Sequence, residues 1–267
     1  MNGFCDLARK KKERLTMRSV FRVSGRGAAA VCVAAMGSAA AGFVDPNLPG
    51  VTDFDGWDNL SRTNPQVAAA SPAFPGFPGG TLWPEPIESL LTGGVADTDP
   101  LNDDPTSDAY FDKLSGNGYP AGFSIYASPF PPGASYEVAD DTPVAGVETV
   151  VFQIQIGAGS SGWLVGDTAS LTINGTTAVP VTQTLINDLG AVDTGFGPVA
   201  VREYLFQWDL QGLGSVSSFE VGFAPSGTST TITALQLHQG DTFTLVPEPA
   251  TLALLSLGSL AMLRRRV

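Results

Sequence analysis

The stretch ETVVFQIQIG (residues 148–157) alternates apolar and polar side chains along most of its length. Successive side chains of a β-strand point to opposite faces of the sheet, so this alternation is what a half-buried strand requires. Gln153 and Gln155 fall on one face of such a strand. The stretch therefore predicts a strand whose other face lies in a core and is formed by Val150, Phe152, Ile154 and Ile156.

The same period of two recurs further along the chain, in REYLFQWDL (residues 202–210), FEVGF (residues 219–223) and FTL (residues 243–245). Asn174-Gly175 stands between two β-type runs, and this dipeptide is the strongest short-range signal of a hairpin. We therefore predict an all-β fold, an antiparallel β-sandwich or jelly roll. TQTLINDL (residues 182–189) is predicted to be a short helical turn.

Composition divides the chain into four parts. Residues 1–42 are basic and then apolar, residues 43–95 are rich in proline and glycine, residues 96–245 carry the alternating pattern, and residues 246–267 form a distinct tail. The third part, about 150 residues long, can bury a core without disulfides. The second part predicts an irregular arm or lobe pinned by its aromatic side chains: Phe54, Trp57, Phe74, Phe77 and Trp83.

The charge distribution disfavours one class of partner. Residues 43–246 hold 23 acidic residues and 3 basic ones, although the net charge of the whole chain is only −12. A surface so negative repels phosphate backbones, and we therefore expect no nucleic-acid partner. The same surface can attract divalent cations.

Cysteine and histidine are scarce. Cys5 and Cys32 lie in the N-terminal segment, so the chain after residue 42 can form neither a disulfide nor a cysteine-ligated metal site. His238 is the single histidine, which disfavours a Ser-His-Asp triad and a metal site built from several imidazoles. We expect a protein that is not an enzyme and has no resident cofactor, with calcium as the one open possibility.

The N-terminal end predicts export. A basic stretch precedes an apolar run from Ala28 to Met36, and small residues follow. This run is far shorter than the ~20 residues that a membrane-spanning helix needs. The layout is that of a secretory signal peptide, a helix that the export machinery receives and that signal peptidase removes near Ala39 or Ala41.

The C-terminal end predicts a tail held in the membrane. Pro247, Glu248 and Pro249 precede an apolar stretch at residues 250–263, which precedes Arg264, Arg265 and Arg266. As a helix this stretch rises about 21 Å, less than the ~30 Å hydrocarbon core, but tilt or local thinning of the bilayer can still hold it. The arginines would then remain on the cytoplasmic side.

These three parts in this order resemble the PEP-CTERM sorting signal, and the resemblance covers residues 246–267 only. It implies that exosortase, a membrane-embedded protease, removes the tail and that the protein passes to the cell surface or the extracellular matrix. It implies nothing about the activity of the rest of the chain. A second tripeptide, Pro84-Glu85-Pro86, lacks the apolar stretch and the arginines that complete the pattern.

Acidic residues crowd the segment VADTDPLNDDPTSDAYFD (residues 95–112). Calcium takes six to eight oxygen ligands, which closely spaced aspartates in a turn can supply. The segment lacks the glycine and the distal glutamate of an EF-hand loop, so a solvated acidic loop is the simpler interpretation. DFDGWDN (residues 53–59) is a shorter candidate of the same kind. The calcium candidates are Asp97, Asp99, Asp103, Asp104 and Asp108.

Few single residues point to chemistry. Glu203 and Asp209 share a strand face but lie ~20 Å apart at strand rise, too far for the two carboxylates of a glycosidase. His238 is expected on a solvent-facing position. Trp208 shares the apolar face of its strand and predicts core packing, whereas Trp163 lies in a Gly/Ser-rich turn and is a candidate platform for stacking a sugar ring.

Three functions remain open. In the first, the sandwich is non-catalytic and works in the extracellular matrix, where it associates with exopolysaccharide. In the second, it is an extracellular polysaccharide hydrolase or lyase acting through carboxylates, since jelly rolls also host such activities. In the third, it is an adhesion protein that depends on calcium.

Replacing Pro247-Glu248-Pro249 by three alanines should block removal of the tail, because the resemblance makes this tripeptide the recognition element. The measurement is the intact mass of wild type and variant recovered from the native host. We expect the C-terminal segment to be lost from the wild type only. An intact tail in both proteins would contradict the sorting interpretation.

Overall fold

The computed structural model describes residues 43–58, 60, 67, 86–88, 109–116, 118–121, 124–127, 133–158, 163–194, 197–226 and 230–248. Within them the chain is nearly all β, as predicted, and forms two antiparallel sheets packed as a sandwich. The predicted signal helix and tail helix lie outside the described residues, as does the signal cleavage site. Among the residues described, no helix has the length and apolar character to cross a membrane.

Seven strands make the larger sheet. They are β1 (Thr52–Trp57), β4 (Gly118–Pro120), β5 (Ile125–Ala127), β7 (Thr149–Ala158), β10 (Gln183–Thr194), β11 (Gly197–Asp209) and β13 (Thr230–Gly240). Their spatial order is β10-β11-β7-β13-β5-β4. Strands β5 and β1 both pair with the same edge of β13, β5 at the start of β13 and β1 at its end. The N-terminal region therefore contributes a strand to this sheet.

Six strands make the smaller sheet. They are β2 (Ile87–Glu88), β3 (Tyr110–Ser115), β6 (Ser135–Asp140), β8 (Ser170–Ile173), β9 (Thr177–Val179) and β12 (Phe219–Phe223), in the order β2-β3-β6-β12-β8-β9. A short 3-10 turn, Val165–Asp167, precedes β8. The predicted hairpin is confirmed: Asn174 and Gly175 both have positive φ and join β8 to β9.

The inner faces of the two sheets share one hydrophobic core. The alternation of β7 is confirmed, because its predicted core face is fully buried while Gln153 points to the other side. The rings of Phe152 on β7 and Phe223 on β12 lie 5.3 Å apart and join the two layers. Trp208 is fully buried in the same core, as predicted.

Two predicted elements are wrong. Residues 243–245 form no strand, because the last strand ends at Gly240 and the segment after it is held by hydrogen bonds to the side chain of Gln207. TQTLINDL is not a helical turn, because Gln183–Thr194 is the edge strand β10 and pairs along its length with β11. Its own alternation is weak, and the partner strand supplies the backbone hydrogen bonds that local propensity does not specify. Residues 43–95, predicted to be irregular, include β1 and β2, and Trp57 lies in the core. Phe74, Phe77 and Trp83 lie outside the described residues.

Phe152→Ala should lower the free energy of unfolding by roughly 3–5 kcal/mol, because it leaves a cavity where the two sheets meet. Thermal or urea unfolding measures this loss. Ile186→Ala on β10 is the matched control, since Ile186 is 47% exposed and its truncation should change the stability by no more than about 0.5 kcal/mol. Equal effects of the two changes would contradict the assignment of the inner core.

Candidate sorting junction and the outer face of the larger sheet

The side of the larger sheet that points away from the core carries two rows of aligned side chains, which we call the outer face. Strand register places one row across five strands, from Gln183 through Gln207, Val151 and His238 to Phe54. The neighbouring row consists of Leu185, Leu205, Gln153 and Gln236. Apolar and amide side chains therefore lie side by side on a surface that a simple sandwich would expose to water.

The C-terminal segment of the sandwich docks on this face. The side chain of Gln207 bonds this segment as the backbone of a neighbouring strand would. Its Oε1 accepts from the Val246 amide at 2.9 Å, and its Nε2 donates to the Thr244 carbonyl at 2.7 Å. Gln183 Nε2 donates to the Val246 carbonyl at 3.1 Å. Val246 is consequently only 1% exposed, although it lies beyond the last strand.

The N-terminal segment docks on the same face, also through hydrogen bonds between a glutamine side chain and the backbone. We call residues 43–48 the N-terminal arm. Gln153 accepts from the Val44 amide at 2.9 Å and donates to the Val44 carbonyl at 2.8 Å. A polar side chain at the centre of the sheet thus satisfies both backbone groups of one arm residue, which fixes the direction in which the arm crosses the sheet.

A small apolar cluster lies between the two docked segments. Its buried members are Val151, Leu205 and Val246. Val44 and Leu48 of the arm and Leu185 of β10 pack against it. We call these six residues the outer cluster. Both ends of the sandwich therefore help to cover one patch of the larger sheet.

Exposure changes abruptly after Val246. Pro247 and Glu248 are exposed, so the first two residues of the predicted sorting tripeptide leave the fold directly from a buried residue. We call residues 244–248 the sorting junction. Pro249 and the arginines Arg264, Arg265 and Arg266 lie outside the described residues.

An open cavity of about 260 Å³ lies at the seam between the arm and the junction. Val44 lines it from the arm and Glu248 from the junction. Glu203, on β11, is 4% exposed, and its Oε1 has no hydrogen-bond partner among the described residues. Asn187 Nδ2 donates to the other carboxylate oxygen at 3.4 Å. Burial raises the pKa of Glu203, and the Asn187 hydrogen bond opposes that rise.

His238 lies on the outer face, as predicted, but the chain partly covers it. It lines a second open cavity, of about 350 Å³, together with arm residues and β1. The ring of Phe54 lies 4.6 Å away, and Gln153 Nε2 lies 3.3 Å from His238 Nε2. Burial lowers the pKa of His238 to about 4, although the nearby carboxylate of Asp45 works in the opposite direction.

Trp163 lies at the opposite, inner side of β11 rather than beside these cavities. It is half-buried and packs against the core, and the guanidinium of Arg202 sits 4.5 Å from the centre of its ring. Arg202 also pairs with Asp188 at 2.7 Å. One face of the candidate stacking platform is thus occupied by a cation of the same chain.

The candidate calcium ligands at 97–108 all lie outside the described residues. From the shorter acidic candidate, Asp55 is buried and Asp53 accepts from Gln239 Nε2 at 3.1 Å. Within the described part of the chain, no group of three or more acidic, histidine or cysteine side chains is arranged to hold a metal ion. Calcium binding therefore stays a prediction.

The structure brings together residues that the sequence does not single out. Gln153, Gln207 and Glu203 are buried although they occupy the polar positions of their strands. One sequence signal could have found this: the apolar doublet Val150-Val151 in β7 and the run around Leu205 in β11 put apolar side chains on both faces, which indicates that both faces are covered.

Comparison with known families identifies the tail. Residues 245–266 match the family model described as the PEP-CTERM protein-sorting motif. The predicted sorting motif is thereby confirmed, and the match begins one residue before Val246. A search of curated proteins and a search of solved structures each gave no match. The motif marks an exported protein that is sorted to the cell surface through exosortase.

The partly covered His238 should make the protein less stable as the pH falls from about 6.5, its ordinary pKa, to about 4, its pKa in the fold. In this window the unfolded chain binds a proton that the folded chain excludes, so the free energy of unfolding decreases with decreasing pH. The measurement is the melting temperature between pH 7 and pH 4 for wild type and His238→Gln. The difference between the two proteins separates the contribution of the histidine to this pH dependence from that of the carboxylates. These include Asp45 and Asp53, which face the same cavity.

We expect the wild type to lose more stability than His238→Gln over this range. Parallel curves for the two proteins would show that His238 ionises as freely in the fold as in the unfolded chain.

Proposed function

We propose that this exported, surface-sorted chain is a non-catalytic β-sandwich of the extracellular matrix, and that it binds polysaccharide in the cavity beside its sorting junction. The cavity at Glu203 is the observation that carries the binding part of this proposal. Export and sorting rest independently on the PEP-CTERM motif.

The chemistry of the cavity suits a sugar. A pyranose ring presents apolar C–H faces and an edge of hydroxyl donors. Leu185, Leu205 and Val44 offer apolar walls, and Glu203 Oε1 offers a buried acceptor that lacks a partner among the described residues. Hydrogen bonds from a hydroxyl to a carboxylate are short and strong, especially away from water. The cavity is close to the lower size limit of small-ligand sites, about 300 Å³.

A binding role is favoured over catalysis by the position of the second carboxylate. Hydrolysis of a glycosidic bond generally uses two carboxylates on either side of the bond. The carboxylate that joins Glu203 in this cavity belongs to Glu248. Glu248 is part of the sorting tripeptide, so a catalytic pair would depend on the segment that processing acts upon.

Glu203→Gln should weaken binding to the exopolysaccharide of the host about tenfold, because it replaces a charged acceptor by a neutral one. Binding of the full chain to the purified polysaccharide is measured by calorimetry. Glu220→Gln on β12 of the smaller sheet is the matched control, since it removes the same charge from an exposed position. Equal affinities of the two variants would contradict binding in this cavity, and the absence of binding by the wild type would contradict the matrix role.

A polysaccharide hydrolase is the second candidate, and one observation favours it: Glu203 and Glu248 line the same cavity. The raised pKa of Glu203 would suit a general acid. The same experiment separates the two functions. Release of new reducing ends by the wild type, lost in Glu203→Gln, would support catalysis and overturn the non-catalytic proposal.

A further inference from the structure

We propose that the N-terminal arm is a latch for the sorting junction. In this arrangement residues 43–48 complete the outer cluster that holds Val246, and docking of the arm fixes the point at which the sorting signal leaves the fold. The proposal rests on the sorting part of the function above and not on polysaccharide binding.

The junction is held by contacts that a protease would have to replace. The amide and the carbonyl of Val246 are both bonded to glutamine side chains, at 2.9 Å and 3.1 Å. Its side chain is buried in the outer cluster. Docked in this way, Val246 has neither backbone group free to pair with an extended binding site, whereas Pro247 and Glu248 are exposed.

The arm contributes to the same patch from the other end of the chain. Val44 packs against the outer cluster, and both of its backbone groups are bonded to Gln153. The cluster is small: it has three fully buried residues, and two of the three residues that pack against them, Val44 and Leu48, belong to the arm. Loss of the arm would therefore expose much of the cluster to water. Val44 also lines the cavity that Glu248 lines, which places the arm beside the junction.

The spacing after Val246 makes this contact important for processing. Pro247, Glu248 and Pro249 are the only residues between Val246 and the apolar stretch that begins at Ala250. An extended chain covers at most ~3.6 Å per residue, so four steps reach about 14 Å. While the tail is held in the membrane, the length of chain accessible to a membrane-embedded protease therefore depends on whether Thr244 and Val246 are docked or free.

The arm also relates the junction to export. It begins two residues after Ala41, one of the two positions near which signal peptidase is expected to cut. An arm still joined to a signal peptide in the membrane would be drawn away from the outer face. Docking of the arm would then follow release of the N terminus, and a firmly held junction would mark a chain whose export and folding are complete.

The test compares Val44→Asp with Val51→Asp. Val51 lies in the same N-terminal region, but its side chain is 62% exposed and is not part of the outer cluster. The first readout is hydrogen exchange at the Val246 amide in the full chain, produced in cells without exosortase so that the tail is retained. We expect exchange about tenfold faster in Val44→Asp, because a charge replaces an apolar side chain of the cluster that buries Val246, and wild-type exchange in Val51→Asp. Unchanged exchange in Val44→Asp would overturn the latch.

Hydrogen exchange at the amides of β7, measured in the same samples, shows whether the sandwich itself remains folded. Should these also exchange fast in Val44→Asp, Val44→Ala replaces it, with about threefold faster exchange expected at Val246 alone. Unchanged exchange in that variant with an intact β7 would equally overturn the proposal.

The second readout is the rate of tail removal in the host, followed by intact mass. We expect faster removal in Val44→Asp than in Val51→Asp, because undocking lengthens the accessible chain. Equal rates would overturn the control of processing by the arm. Retention of the tail in every protein, including the wild type, would overturn the sorting function, while hydrogen exchange would still decide whether the arm holds the junction.

Discussion

The structure depends on buried glutamine amides that bond the backbone of segments lying outside the strands, at Val44, Val144, Thr244 and Val246. Gln153, Gln207 and Gln239 are each fully buried, and each amide makes three contacts of hydrogen-bond length. An uncharged amide buried without partners costs about 1–3 kcal/mol, so the larger sheet is complete only when the segments at Val44 and Val246 have docked. The outer face is thus a second, smaller core that the two ends of the sandwich close.

This arrangement explains how a sorting tail can follow a folded domain with almost no linker. The last docked residue, Val246, is immediately followed by the tripeptide that the PEP-CTERM motif uses. The same closure leaves an open cavity at the seam, lined by the Glu203 side chain, which is 4% exposed. The sorting junction and the proposed binding site therefore lie on one surface. A change in the docking of either end of the sandwich would alter both the junction and the binding site.

The sequence predicts those parts of the fold that local patterns determine. Strand β7 and the Asn174-Gly175 hairpin follow from alternation and turn chemistry, and the tail follows from a contiguous motif. Strand β10 could not be predicted because its hydrogen bonds come from β11. The burial of Glu203 could not be predicted because the segments that cover it lie far apart in the chain, and only the apolar doublet Val150-Val151 hints that both faces of the sheet are covered.

Amide hydrogen exchange in the wild-type chain tests most directly whether glutamine side chains hold both ends to the outer face. Val44 and Val246 lie outside the strands, and in each case the amide donates to a glutamine oxygen at 2.9 Å. We predict that both amides are protected to a degree similar to those of β7. Exchange of both at the rate of an unstructured chain, with β7 still protected, would show that the ends are free and would contradict this description of the junction.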